Sequence, residues 1–198
     1  MGTPKGELVI GGEPILTFLM RHVEWPGPTL LVTAPGREHP PGWESFTREA
    51  VDPVGGLGPL RGVLTALENR LTERVLVMPV DMPGLAAGQL RWLASSFDSE
   101  RAHRYDLCGL MTSRKVSRDV GRGSSSHPGR RIEPFPAVFH QEATPLVRRR
   151  LEAGRGSVHA LAGEPGFLVL DAPDGWDEGT WINLNRPADL ERFARSVE

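Results

Sequence analysis

The run Arg74-Val75-Leu76-Val77-Met78-Pro79-Val80-Asp81-Met82-Pro83 constrains this chain more than any other stretch. Val75, Leu76, Val77, Met78 and Val80 make a nearly continuous apolar series, the pattern of a parallel strand covered on both faces. Pro79 and Pro83 cannot donate to a ladder, so Asp81 is predicted to stand where the chain leaves the sheet. Ligands of open α/β sheets bind just outside the carboxyl ends of the strands. A hard carboxylate there suits Mg²⁺ carrying a nucleotide's phosphates. The competing reading is that Asp81 only caps the following helix.

The rest of the chain alternates strand and helix around this run. Ile15, Phe18, Leu19 and Val23 recur at helical spacing behind Pro14, and Thr29 to Ala34 is a β-branched apolar run of strand length. Ala50-Val51-Asp52 reads as a short strand. A Gly-rich turn from Val54 then opens a helix with Leu60, Val63, Leu64, Leu67 and Leu71 on one face. Beyond Asp81 come a helix over 86–97, strands over 104–111 and 136–139, a helix over 143–153, a short helix over 157–162 and a strand over 167–170. Trp181 to Asn185 is extended and leads into a last helix, with Asn185 as its N-cap and Pro187 in its first turn. Alternation of this kind predicts an α/β domain, a mostly parallel sheet with helices on both faces.

A chain of 198 residues with a net charge of −2 is the size of one such domain and carries no global basic surface for nucleic acid or anionic membrane. Its single cysteine, Cys108, rules out an internal disulfide and a CxxC site; its strand-like flanks predict a buried, inert thiol. No apolar run reaches membrane-spanning length, and the start lacks a basic segment followed by an apolar one, so the expected location is the cytoplasm. The six histidines show no metal-ligand spacing. Residues 112–131 are polar, rich in Gly and Ser, and basic, and are read as a mobile loop between two strands; a phosphate- or nucleic-acid-binding arm is the alternative. Trp43 and Trp176 fall in loops, where they could rim a pocket.

Four stretches in order resemble the molybdenum cofactor guanylyltransferase family, nucleotidyltransferases with a Rossmann-like, three-layer α/β/α fold. Met1-Gly2-Thr3-Pro4-Lys5 is similar to the end of the family's N-terminal signature, whose lysine contacts phosphates; that role maps onto Lys5. Gly58-Pro59-Leu60-Arg61-Gly62 resembles its Gly-Pro-Leu-Ala-Gly nucleotide motif, with Asp52 at the position of an upstream nucleotide-contacting aspartate. Pro79-Val80-Asp81-Met82-Pro83 looks like its magnesium site. Asn183-Leu184-Asn185-Arg186-Pro187-Ala188-Asp189-Leu190 resembles its Asn-x-Asn-x-Pro-x-Asp-Leu motif, whose asparagines lie at the active site; Glu133 to Phe139 is a fainter echo.

The resemblance implies transfer of GMP from GTP to molybdopterin, with Mg²⁺ as cofactor and Lys5 and Asp81 as catalytic residues. Nucleotide contacts would come from Lys5, Asp52, Gly58, Pro59, Leu60, Gly62 and Asp81, and substrate contacts from Asn183 and Asn185. It further implies a monomer that meets molybdopterin-delivering proteins or molybdoenzymes transiently. The plainer readings are a solvated Lys5, glycines that only make a turn, and an Asn185 that only caps. The family begins with a strand running into Leu-Ala-Gly-Gly-x-Ser-x-Arg, and this sequence starts just after that point, so the expected start lies upstream. Without that strand the sheet is expected to hold a slot with unpaired N–H and C=O groups on both neighbours. Pro4 resembles related cytidylyltransferases, and Thr33 stands where guanylyltransferases often have asparagine. A cytidylyl- or sugar-phosphate nucleotidyltransferase is therefore the rival enzyme, and a non-catalytic nucleotide-binding remnant or cofactor chaperone the rival from another class.

Overall fold

The computed structural model describes residues 4–115 and 130–197. A 3-10 turn at Lys5–Glu7 leads into a tiny hairpin of β1 (Val9–Ile10) and β2 (Glu13–Pro14), turned by Gly11 and Gly12 at φ of 57° and 83°, and then into α1 (Ile15–Val23). Strands β3 (Leu30–Thr33) and β4 (Arg48–Val51) pair in parallel, and α2 (Pro59–Glu68) returns the chain to β5 (Arg74–Val77). There follow α3 (Ala87–His103), β6 (Gly109–Lys115), β7 (Arg130–His140), α4 (Thr144–Glu152), β8 (Phe167–Asp171) and α5 (Pro187–Val197). Four of these strands form one sheet in the order β5-β7-β6-β8.

Side chains alternate across this sheet as strand geometry demands. Met111, Ala137 and Phe139 face Leu60, Val63, Leu64 and Leu67 of α2 and Val147 of α4. Leu110 and Val138 face Leu93 and Phe97 of α3, joined by Leu76 and Leu168. Helices thus cover both faces, the α/β/α layering expected. A third cluster packs Ile15, Leu16 and Leu19 of α1 against Leu31 of β3 and Phe193 of α5.

The sheet is mixed, which corrects the mostly parallel expectation. β7 pairs antiparallel with both β5 and β6, while β6 and β8 are parallel. β7 therefore runs in reverse along both of its neighbours. Their register shifts between Leu110 and Thr112, opposite Pro134 and Pro136, which have no N–H to give the ladder. The boundaries also move. Thr112 to Lys115 and Arg130-Arg131 belong to strands instead of the predicted loop, whose remainder lies outside the described residues. Residues 104–108, predicted as strand, precede β6, and α3 runs on to His103. Cys108 is only half-buried, although burial raises its thiol pKa.

The sheet region also contains a gap. The β3–β4 pair is not hydrogen-bonded to the four-stranded sheet. Between β3 and β5 lies a cavity of about 910 Å³, lined by both strands from Leu30 to Thr33 and from Arg74 to Val80. The expected slot is present.

His140, at the end of β7, is buried against Phe97, with ring centroids 6.4 Å apart, and its Nδ1 accepts the Glu142 N–H at 3.4 Å. Burial, with the Arg101 charge adding to it, lowers its pKa below the ordinary histidine value. A native imidazole held neutral binds fewer protons than the unfolded one, so its stabilisation is complete above about pH 6.5 and is lost as pH falls through the lowered native value. Urea midpoints measured across this range should therefore drop on acidification, and His140→Gln should flatten the drop; an unchanged slope would count against this account.

Candidate active site

Asp81 leaves the sheet beyond β5. The turn closes with the Met82 N–H on the Pro79 carbonyl at 3.3 Å, and the Asp81 carbonyl accepts the Leu184 N–H at 2.9 Å. These bonds fix the backbone, and only 7 % of the residue is exposed. An aspartate so enclosed needs a countercharge. Lys5 supplies it: its ammonium forms an ion pair with Asp81 Oδ2 and donates to Asn185 Oδ1 at 2.9 Å. Three residues singled out in the sequence, Lys5, Asp81 and Asn185, therefore meet at one point.

Both plainer readings fail here. Asp81 is not the cap of α3, whose N-cap position is Ala86, five residues further on, with its N–H on Gln89 Oε1 at 3.2 Å. Asn185 is not the side-chain cap of α5 either. Asp189 Oδ2 reaches back to the N–H groups of Asn185 and Arg186 at 3.2 and 2.9 Å, which leaves the Asn185 amide oxygen for Lys5. Asn183 is exposed and contributes its carbonyl to the Asn185 N–H at 3.0 Å. The sequence signal for Asp189 was its place three residues into the last helix, where an acid can satisfy the orphan amides of the first turn.

A second group lies at the carboxyl ends of β3 and β4. The Asp52 N–H bonds to the Thr33 carbonyl at 2.8 Å, and Asp52 Oδ1 is buried without a hydrogen-bond partner. Thr33 donates its hydroxyl to Glu49 Oε1 at 2.6 Å. Gly56 and Gly58 take φ of 82° and 74°, conformations that favour glycine, and an added Cβ at either would meet open space. Gly58 and Pro59 then open α2, where the Arg61 N–H bonds to the Gly58 carbonyl at 3.1 Å. Thr33, Asp52, Gly58, Pro59 and Gly62 all line the cavity. Leu60 does not: its side chain is wholly buried in the core, so only its backbone is available to a ligand.

A third wall went unread in the sequence. Met82 and Leu85 pack against Trp181, which Trp176 adjoins at 5.3 Å. Arg114 lies over the Trp181 ring at 5.8 Å while bonding to buried Glu133 Oε1 at 2.6 Å. Residues so distant in sequence carried no common spacing. Trp176 is thus a packing residue here, and Trp43 packs on His39 at 4.1 Å. Among the described residues no group of three or more His, Cys, Asp or Glu side chains could hold a metal by itself. None of the described helices is long and apolar enough to cross a membrane.

The loop after Asp81 touches this wall closely. At Gly84 an added Cβ would strike the carbonyl oxygen of Gly179, a backbone atom that cannot swing aside. Gly84→Ala should cost about 1–3 kcal/mol in denaturant unfolding; a neutral result would mean that the 179–181 segment yields freely.

Residues 1–164 match the model of a family described as MobA-like NTP transferase domain. A protein of Deinococcus radiodurans named probable molybdenum cofactor guanylyltransferase is 28 % identical over 194 residues, covering 98 % of this chain and 86 % of the relative. Molybdopterin-guanine dinucleotide biosynthesis protein A from Archaeoglobus fulgidus superposes with a TM-score of 0.69 at 17 % identity, covering 99 % of this chain and 91 % of that one. The 2-C-methyl-D-erythritol 4-phosphate cytidylyltransferase of Thermus thermophilus gives 0.68 at 18 % identity, covering 98 % and 94 %.

Proposed function

The chain belongs to the MobA-like NTP transferase domain family, and from that premise we propose that it transfers the GMP unit of GTP to molybdopterin. A molybdopterin phosphate oxygen attacks the α-phosphorus, the bond to the β-phosphate breaks, and pyrophosphate leaves. Such a transfer asks the protein for position and charge more than for covalent chemistry. The observation that carries the reading is the convergence of Lys5, Asp81 and Asn185 from three separate parts of the chain.

Each residue has a role in it. Lys5 places positive charge against the phosphates. Asp81 fits a Mg²⁺ site of the kind that uses one carboxylate together with substrate phosphates, being an enclosed hard donor whose charge is at present met by an ammonium. When bound, that ion would neutralise charge on the phosphates. The backbone at Gly58, Pro59, Leu60 and Gly62 approaches the nucleotide, and the orphaned Asp52 Oδ1 accepts a hydrogen bond from its base or ribose. Asn183 and Asn185 orient the pterin substrate. Guanylyltransferase relatives support GTP. Thr33, which stands where guanylyltransferases often have asparagine and gives its hydroxyl to Glu49, is the ground for a second reading, CTP as donor.

The test is turnover of GTP and of CTP with molybdopterin and Mg²⁺, followed as pyrophosphate release. GTP should be the better donor, and Asp81→Ala and Lys5→Ala should each lower kcat by about 100-fold or more with the circular dichroism spectrum retained. Preference for CTP would support the cytidylyltransferase reading. Binding of GTP without turnover would replace the enzyme with a nucleotide-binding protein.

A further inference from the structure

We propose that Arg114 anchors the phosphate monoester of the acceptor substrate, an inference that rests on the transferase reading and assigns the second substrate its own side of the site. Arg114 stands near the end of β6 with 26 % of its side chain exposed. Its Nε donates to Glu133 Oε1 at 2.6 Å, and Glu133 is itself enclosed. The guanidinium lies over the Trp181 ring at 5.8 Å. One tether and one supporting face fix its plane. Beyond Nε the group has donors to spare: among the described residues the two terminal amino groups of Arg114 have no acceptor. A fixed, unspent guanidinium fork of this kind takes phosphate oxygens in pairs.

The charges around it do not cancel. Lys115 pairs with Asp174 at 2.6 Å, and Arg130 pairs with Asp171. Glu133 alone then faces both Arg114 and Arg131, the second at 3.4 Å. Two guanidinium groups on one carboxylate leave an excess of positive charge among the described residues. Held on a partly enclosed and oriented group, that excess draws an anion more strongly than a solvated lysine would.

The position of Arg114 selects the substrate. Trp181 packs on Met82, the residue after Asp81, and Asn183 follows two positions beyond Trp181. Trp176 adjoins both Trp181 and Trp92 of α3 at 5.3 Å, so this wall belongs to the side of the sheet that α3 covers. The turn at Gly56 and Gly58 opens α2, which covers the other side. Arg114 and the nucleotide turn therefore come to the end of β5 from opposite faces. Attack on the α-phosphorus likewise brings the incoming oxygen in on the side away from the leaving one. The phosphate held by Arg114 is that of the acceptor, and the nucleotide keeps the α2 side.

The experiment compares the wild-type chain with Arg114→Gln, in turnover of GTP and molybdopterin with Mg²⁺ and in equilibrium dialysis of molybdopterin without nucleotide. The KM and the dissociation constant for molybdopterin should rise at least about tenfold, while the KM for GTP stays within about twofold. Molybdopterin stripped of its phosphate should bind the wild-type chain as weakly as the intact compound binds Arg114→Gln. That substitution leaves Glu133 short of countercharge, so Arg114→Gln/Glu133→Gln, which removes the enclosed charge as well, is measured beside it and should fold and show the same loss. An unchanged molybdopterin constant, a GTP constant raised equally, or failure of both variants to fold would overturn the proposal. The transferase reading fails differently, as absence of turnover in the wild-type chain, and the dialysis comparison then still decides the role of Arg114.

Discussion

The enclosed carboxylate of Asp81 governs how this molecule is tied together. A charge so poorly exposed to water must be met by an opposite one, and the ammonium that meets it comes from a residue 76 positions earlier in the chain. The same ammonium reaches an amide 180 positions later. One electrostatic requirement thus gathers the beginning, the middle and the end of the polypeptide at the carboxyl edge of the sheet. The backbone hydrogen bond from Leu184 to the Asp81 carbonyl makes the junction firm independently of the side chains.

The strand ending at Asp81 was legible because its signal is local. Apolar residues at successive positions and two prolines specify burial and an exit within ten residues, and every helix was likewise announced by its own spacing. The reversed strand β7 was not legible, because direction is a property of the connection and not of the residues in the strand. The fate of Asn185 was lost for a related reason. Asp189 closes the helix start by taking the N–H groups of Asn185 and Arg186, and only the tertiary fold shows that a lysine 180 positions earlier meets the Asn185 amide oxygen. The Arg114–Glu133–Trp181 wall joins three elements with no common period, so no reading along the chain could have assembled it.

The backbone plan alone does not choose a nucleotide base. A guanine dinucleotide biosynthesis protein and a cytidylyltransferase superpose on this chain about equally well, with TM-scores of 0.69 and 0.68. At the ends of β3 and β4, Thr33 is bound to Glu49 and Asp52 holds an unspent acceptor, and under the proposed transferase reading these side chains are where a base would be told apart. A buried polar atom without a partner is the kind of feature that rejects the wrong ligand more strongly than it attracts the right one.

The divided sheet also has a colloidal consequence. Among the described residues, the margins of β3 and β5 that face the cavity have no ladder partner, and half-covered aliphatic side chains flank them, with no proline or charge inside Leu30–Thr33 to blunt the template they present to neighbouring molecules. At high concentration, copies of this chain would adhere margin to margin before they unfold.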